Sequence, residues 1–282
     1  MLARDIPLGI MPMRRSSDQH PFRAQLQPVD ATRAEWLQGL LDIGQYHQHS
    51  LTDAVSGFVE TAAHYLGYHG EIYLEITGDE HGQPAKLEQL PPGRVSHTPR
   101  SYLQWVPKAD RKPLETGRVV SIPRERMWHL RLPRELGSPR AHRRLLRHLA
   151  TLSNPTPDFA LNSPKLDLGR SEGFEFSRLQ AAYVRETERS TKRWGTISSF
   201  QRPVGDSTEY FYIARRLEFH RAQATVRDHL LRELNGLLAR LGVAEQLVVE
   251  GLTAPGDLTQ ALNALHAGEI SFADALKACG IA

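Results

Sequence analysis

The sequence predicts an α+β fold, in which helices accompany a small antiparallel β meander, and three observations lead to it. Apolar residues recur at helical spacing in several stretches, most clearly in 51–66 and 215–241. Short stretches between residues 71 and 132 instead alternate apolar and polar residues, as strands with one buried face do. Glycine- and proline-containing turns separate these stretches, so we expect consecutive strands to pair as hairpins.

Composition limits the class of protein. The chain has 282 residues, of which 40% are hydrophobic, so it can bury a core as one large domain or two small ones. No apolar run approaches the roughly 18 residues of a membrane span. Pro7 and Gly9 interrupt the first ten residues, so these do not fit a signal peptide, and we expect a location in the cytoplasm of the producing cell. The single cysteine, Cys279, excludes an intrachain disulfide.

The first residues of the chain suggest little regular structure. Residues 1–31 contain four prolines among polar residues, which predicts an extended arm. The following helix is expected to start at Thr32, where Glu35 completes a capping-box pattern, and to end at Gly44.

The next elements are a helix and the meander. Ser50 or Thr52 is expected to cap the helix, and Gly67 to stop it. The predicted strands are 71–77, 84–90, 101–106, 118–122 and 127–132.

The second half of the chain predicts mainly helices. Ser138-Pro139 can open a helix with leucines 145, 146 and 149 on its apolar side. The later predicted elements are a helix 176–194, a hairpin of strands 196–200 and 209–213, a helix 215–241, a strand 246–250 and small helices 255–267 and 271–278. The expected organisation is an arm (1–31), an α+β domain (32–153), a linker (154–175), a helix–hairpin–helix segment (176–241) and a small helical segment (242–282).

Motifs for catalysis and metal binding are missing from the sequence. The 13 histidines include the pairs His47/His49, His64/His69 and His142/His148, but none has the spacing of a metal-binding motif. There is no nucleophile elbow and no phosphate-binding glycine loop. We therefore predict no enzyme activity, no cofactor and no metal. A hydrolase with a histidine-based site stays open as an alternative, because catalytic sites need not leave linear motifs.

Two histidines in the meander invite a functional interpretation. His81 lies in a polar turn and His129 inside an apolar strand. For His129 a hydrogen-bonded structural role is the better prediction.

The chain is mildly basic, with a formal charge of +3 and a pI near 9.1. This charge permits contact with nucleic acid but does not demand it. Basic residues cluster at two places, which we predict to face DNA or a neighbouring subunit: Arg140, Arg143, Arg144 and Arg147, and Arg185, Arg189, Lys192 and Arg193. A solvated surface is the alternative, as is a protein that binds nucleic acid independently of sequence.

Six short motifs follow one another in the first half of the chain. They are the strand Gly70–Ile76, the turn Gly82-Gln83-Pro84, the Leu-x-x-Leu-Pro-Pro-x-x-Val segment 87–95, the aromatic strand 102–105, the apolar-His-apolar strand 127–130, and Gly137-Ser138-Pro139. In this order, residues 33–145 resemble the wing region of the portal proteins of tailed bacteriophages. The asparagine of that family's first strand pattern is replaced here by His69-Gly70-Glu71. The chain is similar to a compact or divergent member.

The resemblance implies the rest of the architecture. Helices 176–194 and 215–241 would be the stem around a channel, and the hairpin between them would be the clip. The implied assembly is a homo-oligomeric ring of about twelve subunits at a capsid vertex. Double-stranded DNA would be packaged and ejected through the ring, which would contact capsid, terminase and head-completion proteins, with no membrane. The implied location is the virion, and the host cytoplasm during assembly.

One hypothesis concerns contacts in the ring. A strongly phosphate-binding stem would slow a sliding duplex. Arg185, Arg189 and Lys192 are therefore expected to pair with Glu186 or Glu188 across subunits.

Overall fold

The computed structural model describes residues 2–12, 21–43, 50–107, 118–153, 176–195 and 209–278. Its helices are α1 (Leu2–Asp5), α2 (Ala31–Leu40), α3 (Leu51–His69), α4 (Pro139–Ser153), α5 (Phe176–Ser190), α6 (Glu209–Arg240), α7 (Pro255–Ala267) and α8 (Phe272–Ala278). Its strands are β1 (Arg23–Gln27), β2 (Glu71–Gly78), β3 (Pro84–Leu90), β4 (Val95–His97), β5 (Ser101–Val106), β6 (Arg118–Pro123), β7 (Met127–Arg131) and β8 (Gln246–Glu250). The combination of helices with antiparallel strand pairs confirms the α+β class.

The chain divides into two compact units. Unit 1 comprises Ala3–Arg134 and Val226–Leu252, and unit 2 comprises Glu135–Thr225 and the residues from Thr253 onward. Unit 1 therefore holds all eight strands described, and unit 2 is helical in its described residues. The first half of α6 belongs to unit 2 and the second half to unit 1.

The centre of unit 1 is a three-stranded sheet of order β3-β2-β7, covered by α3. The helix buries an apolar face that includes Val55, Phe58 and Val59, and the Phe58 ring stacks on Trp128 of β7 with ring centres 5.4 Å apart. Ser50 caps the helix at its start, as predicted: its hydroxyl accepts a hydrogen bond from the backbone N–H of Asp53.

Two further sheets complete unit 1. The sheet of order β4-β5-β6 shares a core with the central sheet, through residues such as Tyr73, Ile122 and Met127. The third sheet pairs β1 with β8, and the side-chain amide of Asn235 on α6 bonds both the N–H and the carbonyl of Leu247 on β8.

The N-terminal segment differs from the prediction of an extended arm. Among residues 2–12 and 21–31, α1 and β1 are formed, and Ile6, Phe22 and Leu26 are buried. The prediction is wrong because Pro21 and Pro28 bracket β1 rather than interrupt it. The alternation from Arg23 to Gln27 buries Ala24 and Leu26.

Two helix boundaries also differ. The N-cap of α2 is Asp30 and not Thr32, because the Asp30 carboxylate accepts a hydrogen bond from the N–H of Arg33. α3 runs past Gly67 to His69 and ends at Gly70, whose positive φ of 76° suits glycine. Gly67 serves packing instead, since an added Cβ would lie 2.6 Å from the carbonyl oxygen of Ala3.

The predicted hairpin between the long helices is not formed as expected. Residues 209–213, predicted as its second strand, are the first turns of α6. Residues 196–208, with the rest of the hairpin, lie outside the described residues, as do the linker 154–175, Gly44 and Cys279. The aromatic and β-branched residues of 210–213 favour a strand by local propensity, but burial of Ile213 against α7 and α8 favours a helix.

Candidate functional site

The basic residues predicted as a contact surface lie on two neighbouring helical segments of unit 2. α4 begins at Pro139, and the Ser138 hydroxyl accepts a hydrogen bond from the N–H of Ala141 at 3.2 Å. α5 is followed by a single turn of 3₁₀ helix, Lys192–Trp194, and Gly195 ends it with a φ of 63°. These two segments contact one another.

All eight predicted residues are exposed. We call them the cationic surface: Arg140, Arg143, Arg144 and Arg147 on α4, Arg185 and Arg189 on α5, and Lys192 and Arg193 in the turn. Apart from Arg143, none of them forms an ion pair with a carboxylate in the described part of the chain. The surface therefore presents its charge outward, where phosphates or acidic groups of another molecule can reach it.

The opposite faces of the same segments are buried. On α4, His142 is 2% exposed, and its ring lies 5.6 Å from the Trp194 ring. Thr187 on α5 and Thr191, directly after it, are buried, and the Thr191 hydroxyl donates to the Thr187 carbonyl at 2.6 Å. Burial of these residues fixes which way the exposed arginines face.

The turn that carries Lys192 and Arg193 is held against α6. Gly195 is so close to that helix that an added Cβ would lie 2.4 Å from the backbone nitrogen of Phe219. Arg215 of α6, 7% exposed, donates to Glu218 at 3.1 Å and reaches the Thr191 hydroxyl at 3.5 Å. The turn that carries Lys192 and Arg193 therefore packs closely against α6.

The glutamates of α5 have partners within the chain. Glu186 lies 3.1 Å from the His148 ring nitrogen of α4, and it accepts a hydrogen bond from Ser190. Burial raises the pKa of Glu188, and the charge of Arg215 partly offsets the shift. Because Glu186 and Glu188 already interact within their own chain, the hypothesis that they pair with arginines of a neighbouring subunit is less well supported.

Histidine environments differ from one another. His129 lies 3.2 Å from the Glu71 carboxylate, and its ring stacks on Tyr73 at 4.1 Å, which confirms the predicted hydrogen-bonded structural role. His47 and His49 lie outside the described residues. In the described ranges, no three His, Cys, Asp or Glu side chains are grouped as a metal ion would require.

Among the residues that the structure describes, no helix combines the length and the apolarity needed to cross a bilayer.

Sequence reasoning missed the buried polar residues behind the surface. His142 and Arg215 are both buried, although arginine is rarely buried and histidine only in some positions. Neither has a sequence signal: Arg215 stands in a helix crowded with other charges, and its burial follows from a tertiary contact.

The chain was compared with protein families, curated proteins and solved structures. No protein-family model and no curated protein matches the chain. Among solved structures, the chain is similar to an HK97-family phage portal protein from Corynebacterium diphtheriae, with a TM-score of 0.41 and 12% identity over 92% of this chain and 93% of that one. A likeness this low does not assign the chain to a family.

Proposed function

We propose that this chain is a portal-like structural subunit that assembles into a homo-oligomeric ring at a capsid vertex. Double-stranded DNA would pass through the ring during packaging and ejection, driven by a separate ATPase. The proposed partners are further copies of the chain, capsid and head-completion proteins, and the terminase. This role requires no chemistry and no cofactor in the chain.

The order of elements is the observation that carries the proposal. Each of the six motifs of the portal resemblance coincides with a strand, a turn or a helix start. In chain order these are β2 with the residue before it, the turn before β3, the segment from β3 to β4, β5, β7, and the start of α4. Two helices, α5 and α6, then stand on either side of residues 196–208, the position expected for the clip between stem helices.

The exposed cationic surface fits this role in one of two ways. On the channel side it would attract the phosphate backbone, independently of sequence. On the flank of the subunit it would face acidic groups of the next copy. Because Glu186 already has partners within its own chain, such groups would come from elsewhere on the neighbouring subunit.

Particle size tests the proposal. The purified chain should form closed rings of about a dozen copies, visible by negative-stain microscopy and by native mass spectrometry. Assembly should be assayed over a range of salt and protein concentrations, because isolated subunits can assemble slowly without partners. A chain that stays monomeric throughout this range contradicts the proposal.

A second candidate is a small protein that binds nucleic acid independently of sequence. The specific observation in its favour is the exposure of the eight basic residues, seven of them without an ion pair to a described carboxylate. A monomer or dimer that shifts duplex DNA with a steep salt dependence supports it, since each phosphate contact adds about 0.9 to the slope of log K against log salt. Replacing the four α4 arginines by glutamine should then reduce that slope, whatever the DNA sequence.

A further inference from the structure

Unit 2 contains a cleft that shares one residue, Arg193, with the cationic surface. Its volume is about 410 Å³. Three elements contribute polar groups to it: the turn after α5 gives Arg193, α6 gives Arg221 and Thr225, and the start of α7 gives Gly256 and Thr259. Glu135 also lines it.

The two arginines are the main donors of the cleft. Neither guanidinium forms an ion pair or a hydrogen bond with a described residue. They come from sites 28 positions apart in the chain, so their approach to one cleft is a product of the fold (221 − 193). Two unneutralised guanidinium groups in one concavity favour an anion with several oxygens, because each presents a planar fork of N–H donors.

The threonines cannot replace the arginines as donors. The Thr225 hydroxyl donates to the Arg221 carbonyl at 2.8 Å, and the Thr259 hydroxyl donates to the Pro255 carbonyl at 2.9 Å. Their oxygens retain only lone pairs toward the cleft. The N–H of Gly256, in the first turn of α7, adds a donor without an acceptor inside the helix.

From this arrangement we propose that the cleft binds a phosphate monoester. Two guanidinium charges match the charge of about −1.5 to −2 that such a group carries at neutral pH. The cleft is larger than a phosphate needs and lies within the range of small-molecule sites, so an organic group attached to the phosphate fits beside it. The inference goes beyond the proposed function and does not depend on ring assembly.

Glu135 adds a negatively charged hydrogen-bond acceptor to the cleft. Its side chain is exposed, and its carboxylate can accept hydrogen bonds from a hydroxyl or amino group of the ligand. The same charge opposes the phosphate. Inorganic phosphate, which lacks the organic group, should therefore bind more tightly after Glu135→Gln.

Two sources of the phosphate are possible: a free phosphorylated small molecule or the phosphorylated end of a nucleic-acid strand. Isothermal titration of the full chain at constant ionic strength distinguishes them. The probes are inorganic phosphate, a nucleoside monophosphate, the unphosphorylated nucleoside, and a short single strand with either a 5′-phosphate or a 5′-hydroxyl. A free ligand predicts that the monophosphate binds more tightly than either strand, and a strand end predicts the reverse order, with the 5′-phosphate required.

Substitutions locate the site. Arg193→Gln and Arg221→Gln should each weaken phosphate binding by about tenfold or more. Arg232→Gln is the matched control, because Arg232 is exposed on α6, lies outside the cationic surface and does not line the cleft, and it should leave the affinity unchanged. Thermal melting shows whether each variant is folded. The proposal is overturned if phosphate and the monophosphate fail to bind at millimolar concentration, or if the double variant Arg193→Gln/Arg221→Gln binds like the unchanged chain.

Discussion

The indole nitrogen of Trp36 donates a hydrogen bond to the backbone carbonyl of Pro84, 48 positions further along the chain, at 2.7 Å. Trp36 lies on α2 and Pro84 opens β3, so this one bond joins the second helix to an edge strand of the central sheet. Proline cannot donate to a neighbouring strand, but its carbonyl still needs a partner. The tryptophan supplies a side-chain partner for that carbonyl at the first residue of the strand.

Trp36→Phe should destabilise unit 1 by about 1 kcal/mol, because it keeps most of the ring and removes only the N–H donor. Urea denaturation measures the loss as a lower midpoint with an unchanged slope. Arg33→Gln is the control: the Arg33 guanidinium lies 5.9 Å from the Trp36 ring centre, at an exposed site, and its loss should cost less. An unaltered midpoint for Trp36→Phe would contradict the importance of this bond.

Asn235→Ala should destabilise the chain by about 2 kcal/mol, since it removes two hydrogen bonds to the backbone of Leu247 at once. Hydrogen exchange should show earlier opening of β8 and of β1, with which it pairs. Asn235→Asp keeps the acceptor for the Leu247 N–H and loses the donor for its carbonyl. Equal protection of β8 in the Ala variant and the unchanged chain would count against the interpretation.

Gly195→Ala should destabilise unit 2 by about 2–4 kcal/mol. The residue has a positive φ, and the new Cβ would collide with the backbone of α6 at Phe219. Gly236→Ala is the matched control, because that glycine lies inside α6 with no atom within 4 Å of an added Cβ, and alanine there should stabilise the helix by up to about 1 kcal/mol. Thermal melting of both variants gives opposite shifts if this holds.

Burial lowers the pKa of His220 on α6, and the charge of Arg216 lowers it further. The folded chain therefore binds this proton less readily than the unfolded chain. Stability should decrease as the pH falls below the ordinary histidine pKa of about 6.5, and the loss should level off below the folded pKa.

His220→Gln should flatten the dependence of stability on pH between about 6.5 and 5, measured by urea denaturation at each pH. Arg216→Gln should flatten it in part, because it removes only the second cause of the shift. A His220→Gln variant with the same pH profile as the unchanged chain would rule out this origin.

Charge reversal at Arg189 distinguishes the two uses of the cationic surface. If the surface meets a neighbouring subunit, Arg189→Glu should reduce ring assembly more than DNA retention, and in the opposite case the surface faces DNA. Arg232→Glu is the control, since Arg232 is exposed on α6 outside the surface. Native mass spectrometry measures assembly, and a filter-retention assay measures bound DNA.

The elements that sequence patterns predicted well are those with a complete local signal. β2 and β3 follow clean alternation around a glycine-rich turn, and α4 carries its own cap at Ser138. In these elements the hydrophobic periodicity and the residues at the ends predict the same structure, and the tertiary contacts are consistent with it.

The errors have tertiary causes. β1 alternates over only five residues between two prolines, and its partner β8 comes near the end of the chain. Gly67 was predicted to end α3. The structure instead requires glycine there because the Ala3 carbonyl lies too close for a Cβ atom. The exposure of the cationic surface could be expected from its charged residues. The presence of Arg193 and Arg221 in one cleft could not, because no local sequence pattern links these two positions.

The pairing of β1 with β8 has a consequence for synthesis of the chain. β1 ends at Gln27 and β8 begins at Gln246, so 218 residues are synthesised between them (246 − 27 − 1). At about 5–20 residues per second this takes roughly 10–40 s, during which the nascent β1 has no β8 to cover its backbone edge. Chaperone demand and aggregation during expression should therefore depend on how quickly translation reaches the last strand, and fragments that stop before it should be the least soluble.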